Sequence, residues 1–269
     1  MPTLIVQADD YAISDGVTEG ILRAVEEGIV RATGIFTNRP SAALAASRIR
    51  DLDRVDVGLD LNMVTGAPIL PAREVPSLVN AHGNLRTSHQ ITAEFPAIGR
   101  DGMYSQFEVD PFDHDETLAE ARAQLDRFVE LFGRPPAYVH HHSIISPMLD
   151  QVLHEVAAQY SVPVMDDLLR DRRVNALPNP WYTVPFGAAE QAACDPVSMF
   201  LAGIEELADH EISVLITHPG YVDADLLDIS SYNVVRARDL QLVTALEVRE
   251  ALTARGVVCA SYRDCGLLG

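Results

Sequence analysis

Apolar, strand-like runs alternate with helical patterns along nearly the whole of this chain, and a parallel sheet is what such a rhythm builds. Leu4–Ala8 reads as the first strand. A helix follows, capped at Ser14 or Asp15, with Val17, Ile21, Ala24 and Val25 on one face and Gly28 at its end. Ala32–Thr37 and Val55–Leu61 are the next strands, separated by a helix over Ala42–Asp51. Residues 62–112 interrupt the rhythm with prolines, glycines and polar residues, an excursion suited to a lid or to the contact of a homodimer. Regularity resumes over Asp115–Phe132, where Leu118, Ala121, Leu125, Phe128 and Phe132 recur at helical spacing. Tyr138–His142 is a strand, Leu149, Val152, Leu153 and Val156 mark a helix, and Val162–Met165 is a short strand. Residues 171–195 look irregular. A helix over Pro196–Ala208, a strand at Ile212–Thr217, a long helix through Arg236–Ala254 and a strand at Val257–Ser261 complete the order. No linker, repeat or low-complexity tract divides the 269 residues. The expectation is an α/β fold, a distorted TIM-like βα barrel, in one domain spanning residues 1–269.

Charge narrows the partners. With 39 acidic against 20 basic residues the net charge is −19, which argues against nucleic acid and anionic membrane, both of which need clustered Lys and Arg. No apolar run approaches the roughly 20 residues needed to span a bilayer. Met1-Pro2-Thr3 leads straight into a strand with no basic leader, so a signal peptide is not expected. Cys194, Cys259 and Cys265 are too few and too scattered for a disulfide framework, and a cytoplasmic location follows as the expectation.

Four of the strands run into ionisable residues at their C-terminal ends. These are Asp9-Asp10, Asp60 with Asn62, His140-His141-His142, and His218. In a βα barrel those ends form the active-site face, so residues far apart in sequence would converge there. Asp and His together are donors for a divalent metal, with a further carboxylate available as a base. Each piece has a plainer reading. An Asp pair after a strand serves as a turn or helix cap, the His triplet can hold one buried, hydrogen-bonded imidazole, and Thr217-His218-Pro219-Gly220 is ordinary turn chemistry. Strand alternation puts His140 and His142 on one face and His141 on the other. Trp181, the only tryptophan, lies in the irregular Asn179-Pro180-Trp181-Tyr182 loop, where it either packs or stacks on a sugar.

These residues resemble a family. Ala8-Asp9-Asp10-Tyr11, with Ser14, Gly16, Val17, Gly20 and Ile21 behind it, is similar to the opening motif of the YdjC/ChbG carbohydrate N-deacetylases. Val57-Gly58-Leu59-Asp60-Leu61-Asn62 resembles that family's GLHL element. Pro76-Ser77-Leu78-Val79, the 138–147 segment, Thr217-His218-Pro219-Gly220-Tyr221, and Tyr232-Asn233 with Arg236 follow in the family's order. The resemblance implies a hydrolase that removes an N-acyl group from an amino sugar or small glycoconjugate with one divalent ion (Mg, Zn, Mn or Fe). It implies Asp9 as general base, Asp10 and His142 as metal ligands, and His218 as the acid that protonates the departing amine. Asn62, Arg236, His140 and Trp181 become candidates for substrate contact or alternative ligation.

Two departures stand out. The family's GLHL histidine is Asp60 here, and the aspartate of its HxDxH element is His140. Asp60 can ligate through oxygen, in a mixed carboxylate–imidazole set. Alternatively His140 supplies the missing imidazole and Asp60 stands behind it. Two other functions remain open at this level: hydrolysis of another amide or a cyclic amide or imide, and a lapsed barrel that only binds.

Overall fold

The computed structural model describes residues 1–101, 104–182 and 187–268, so that 102–103 of the excursion and 183–186 of the irregular stretch lie outside the described residues. In chain order the elements begin β1 (Thr3–Tyr11), α1 (Asp15–Glu26), β2 (Ala32–Ile35), α2 (Ala42–Ile49), β3 (Asp56–Leu61) and α3 (Ser88–Glu94). Then come β4 (Ala97–Asp101), β5 (Tyr104–Phe107), α4 (His114–Phe132), β6 (Val139–His141), α5 (Pro147–Tyr160), α6 (Met165–Leu169) and β7 (Val174–Ala176). The last are α7 (Ala188–Ala193), α8 (Pro196–Ala202), β8 (Ile212–Thr217), α9 (Ala224–Ile229), α10 (Val234–Thr244), α11 (Leu246–Ala254) and β9 (Val258–Cys259). The α/β class with parallel strands is the one that the βα rhythm implied. Among the described residues no helix is long and apolar enough to cross a membrane.

The chain forms two compact units. The first comprises Met1–Ile35, Ser47–Val57 and Asp166–Gly269. Here β1 is the central strand: β8 runs parallel along its length from Thr3↔Ile212 to Ala8↔Thr217, β7 lies beyond β8, and β2 and β9 pair with the end and the start of β1. Leu4, Ile5, Val6, Leu215 and the inner face of α1 (Val17, Ile21, Val25) are buried, which is why β1 opens on the apolar run Leu4-Ile5-Val6. Ser14 caps α1 by accepting from Val17 N at 3.3 Å, as the sequence implied.

The second unit comprises Phe36–Ala46 and Gly58–Met165. The end of β3 pairs in parallel with β6, in the register Leu59↔Val139, Asp60↔His140 and Leu61↔His141. Gly58 is required there, because a Cβ would lie 2.4 Å from the Tyr138 ring. Helix α4 buries Leu118, Ala121, Leu125 and Phe128 of the expected stripe, leaves its last member Phe132 half-buried, and ends at Gly133 with φ 68°. A second line of α4, at four-residue spacing, tethers the excursion. Glu116 accepts from Ser77 N at 2.7 Å, Glu120 accepts from Ile69 N and Leu70 N at 2.9 and 3.0 Å, and Gln124 donates to Asn62 O at 2.7 Å. Desolvation raises the Glu120 pKa, against the lowering effect of those backbone N–H groups.

Several local expectations need correction. Strand β1 does not stop at Ala8 but continues to Tyr11. Val162–Met165 is not a strand, since only Val164 bridges to Val139 and α6 starts at Met165. The long helix over Arg236–Ala254 is two helices, broken at Ala245, whose ψ of 130° cannot continue a helix. The irregular 171–195 stretch holds the short strand β7 and helix α7.

Candidate active site

In the first unit the two adjacent carboxylates Asp9 and Asp10 have different partners. The β1–β2 register shifts between Ala8 and Tyr11, and Asp10 takes a left-handed φ of 71°. Asp tolerates that conformation better than most residues because its short side chain bonds locally. Two flanking threonine hydroxyls brace the strand just before the shift, Thr33 on Ala8 O at 2.6 Å and Thr217 on Gln7 O at 3.0 Å. The result sends Asp9 and Asp10 to separate environments. Asp9 Oδ1 accepts from Gln7 Nε2 at 2.6 Å, and Gln7 Oε1 in turn accepts from Tyr262 OH at 2.8 Å. Burial, with the Asp9 charge second among the charges and burial effects, holds the Tyr262 phenol well above its ordinary pKa, so this donor stays protonated.

Asp10 Oδ2 accepts from Arg236 Nη2 at 2.5 Å, and both side chains are about as buried as core leucines (2% and 1% exposed). Arg236 also donates from Nε to Tyr232 O at 2.6 Å. Arg236, a candidate for substrate contact from its place in the motif, is therefore committed to buried protein partners.

His218 follows β8 directly. The loop carrying it is fixed against α1 by close backbone approach, since a Cβ on Gly20 would lie 2.5 Å from Gly220 Cα, while Tyr221 N donates to Gly16 O at 3.1 Å. Gly16 N donates to the Asp223 carboxylate at 2.5 Å. These contacts explain why glycines stand at 16, 20 and 220. His218 N donates to Asp239 Oδ2 at 2.8 Å, and His218 Nδ1 lies 3.1 Å from the Tyr182 hydroxyl. Tyr182 donates to that same Asp239 oxygen. Desolvation is the largest influence on Asp239 and pushes its pKa up to about 6, against the opposing effects of Tyr182, the His218 N–H and Arg236. The Tyr182 phenol is pushed well above its usual value by burial and by Asp239.

Tyr182 and Asp239 were not singled out from the sequence. An acidic residue one helical turn after Arg236, amid Leu240, Leu242 and Val243, was the available signal for a buried carboxylate. Trp181 is 3% exposed and meets Tyr182 edge-on at 5.8 Å between ring centroids. Of its two readings, packing is the one observed, and its ring offers no open platform for a sugar.

In the second unit, Asp60 and His140 occupy paired positions of β3 and β6, with Asp60 Oδ1 3.5 Å from His140 Nδ1. Asp60 is 1% exposed and His140 13%. His141 points the other way, as strand alternation requires, and its Nε2 lies 3.1 Å from Asp150 Oδ1. His142 stands just past the end of β6 and sets its ring edge-on to Phe36, 4.6 Å between centroids. Asn62 uses its whole amide to shape the following turn. Nδ2 donates to Asn38 Oδ1 and Thr65 O at 2.9 and 2.7 Å, and Oδ1 accepts from Val64 N and Thr65 N at 3.0 and 2.9 Å. That uses its two donors and two lone pairs within the turn.

Residues 3–254 match the model of the YdjC-like protein family. The chain belongs to the YdjC family. It is 30% identical over 266 residues to a chitooligosaccharide deacetylase of Serratia marcescens, covering 97% of this chain and 98% of that one. A carbohydrate deacetylase of Geobacillus stearothermophilus is 29% identical over 262 residues, covering 97% and 96%. The crystal structure of a candidate cellobiose-phosphate cleavage protein from Enterococcus faecalis V583 superposes with a TM-score of 0.74 at 24% identity, covering 98% of each chain, and so shares the fold. The family membership accounts for the order in which the motifs of this YdjC chain follow one another.

Proposed function

We propose that this chain is a metal-dependent hydrolase that removes an N-acetyl group from an amino sugar or short chitooligosaccharide. The observation that carries this reading is the end-to-end likeness to chitooligosaccharide and carbohydrate deacetylases, at up to 30% identity over 97% of the chain. The donor chemistry of the chain supports it. Asp60 and His140 offer a buried carboxylate oxygen and an imidazole nitrogen side by side, a pairing that suits zinc, manganese, iron or magnesium. In this assignment Asp60 and His140 are the ligands that the second unit supplies, and His140 is preferred to His142 because His142 lies against Phe36. A bound divalent ion lowers the pKa of water and polarises the amide carbonyl.

The protein's own groups do the proton work. Asp9, oriented by Gln7 and Tyr262, takes the proton of the attacking water. His218 protonates the amide nitrogen as the C–N bond breaks, so that acetate and a free amine leave. A small substrate fits the single buried tryptophan and the low aromatic content, 6% of the chain, which argue against a long stacking wall.

The test is acetate and free-amine release from N-acetylated chitooligosaccharides by metal-loaded protein, with zinc, manganese, iron(II) and magnesium in turn. Release that disappears in Asp9→Asn supports the reading. No release with any of these metals and sugars overturns it.

A further inference from the structure

We propose that Tyr182 is a positioning residue for His218, its hydroxyl linking His218 Nδ1 to the Asp239 carboxylate and so holding the imidazole with its proton on Nδ1 and Nε2 as the nitrogen that handles the working proton. This rests on the reading of His218 as the acid of amide cleavage.

The argument is a count of protons. A phenol has one hydrogen to give, and Tyr182 gives it to Asp239 Oδ2. The His218 backbone N–H is shared between that carboxylate oxygen, at 2.8 Å, and the Tyr182 oxygen, at 3.0 Å, so the carboxylate meets two donors, as suits its ionised form, and the phenol oxygen already acts as an acceptor. With its hydrogen used, the Tyr182 oxygen can only accept from the imidazole at 3.1 Å, so Nδ1 must carry a hydrogen. The neutral ring then has its lone pair on Nε2, and the cation presents Nε2–H to a leaving nitrogen. The phenol stays protonated because burial and the neighbouring Asp239 both disfavour the phenolate.

The ring is also walled in. Tyr182 and Tyr232 lie 5.2 and 5.7 Å from the His218 ring, centroid to centroid, and 5.3 Å from each other. Arg236, whose charge acts on Asp239, is held by Asp10 and Tyr232 O, and Asp239 is a carboxylate bonded to both Tyr182 and the His218 backbone. The aromatic walls resist rotation of the imidazole, while the hydroxyl decides which nitrogen bears the hydrogen.

Two measurements test this. The first is the nitrogen-15 shift pattern of the His218 imidazole in the resting protein, which reports its tautomer without any turnover. The wild type is expected in the Nδ1–H form, with Tyr182→Phe losing that preference. A wild-type ring in the Nε2–H form overturns the proposal, and this result stands even if the variant does not fold. The second is steady-state deacetylation. Tyr182→Phe is expected to lower kcat by about 10- to 100-fold with KM little changed, as loss of a group that acts through another residue does. In a His218→Gln background the same substitution should cost nothing further. A kcat within twofold of wild type in Tyr182→Phe also overturns the proposal. If His218→Gln itself keeps full activity, the acid role fails while the tautomer measurement still decides what Tyr182 does.

Discussion

The Asp10 carboxylate and the Arg236 guanidinium, 226 residues apart in the chain, meet at 2.5 Å in the interior of the first unit. Breaking one side of such a pair leaves an uncompensated buried charge, which typically costs about 3–5 kcal/mol. Arg236→Met should therefore lower the urea midpoint strongly, while Asp10→Asn combined with Arg236→Met should recover part of the loss. If the single variant unfolds at the wild-type midpoint, the pair contributes nothing to stability.

Asp60 and His140 should control metal retention. Asp60→Asn and His140→Ala are each expected to reduce the metal recovered after dialysis by about 10-fold or more, as measured by elemental analysis. His142→Ala should leave most of it. Full retention in His140→Ala with loss in His142→Ala would reverse the assignment of the imidazole ligand.

Asp239 gives a pH signature. Its folded pKa is raised from 3.8 to about 6, so between these values the folded chain holds a proton that the unfolded chain has released. Stability from this group is therefore greatest at low pH and declines as pH rises through that window, by on the order of 3 kcal/mol. Asp239→Asn should remove that slope, whatever it does to stability overall. Denaturant titrations at several pH values between 4 and 7 read the difference directly, and parallel curves for the two proteins would contradict it.

Glu120 should act as the anchor of the excursion. Glu120→Ala orphans the Ile69 and Leu70 N–H groups and should destabilise by about 2–4 kcal/mol. Amide hydrogen exchange should accelerate first at Ile69, Leu70 and their neighbours. Unchanged exchange at these amides would show that the segment is held by other contacts.

Much of the scaffold was legible in the residues themselves. Ile212–Thr217 reads as a strand because a mostly apolar, β-branched run suits a strand buried on both faces, and the structure has it over the same six residues. The Ser14 cap and the apolar stripe of α4 were visible because capping and helical periodicity act over three or four residues. The opposite directions of His140 and His141 followed from the two-residue period of a strand. Such local rules fix which face a side chain takes, but not which side chain from elsewhere meets it there. That Asp10 answers Arg236, that Tyr182 and Asp239 stand behind His218, and that Asn62 is absorbed in its own turn all depend on the three-dimensional path of the chain. The helical start at Met165 was likewise decided by packing, because short apolar segments suit either helix or strand until their neighbours are in place.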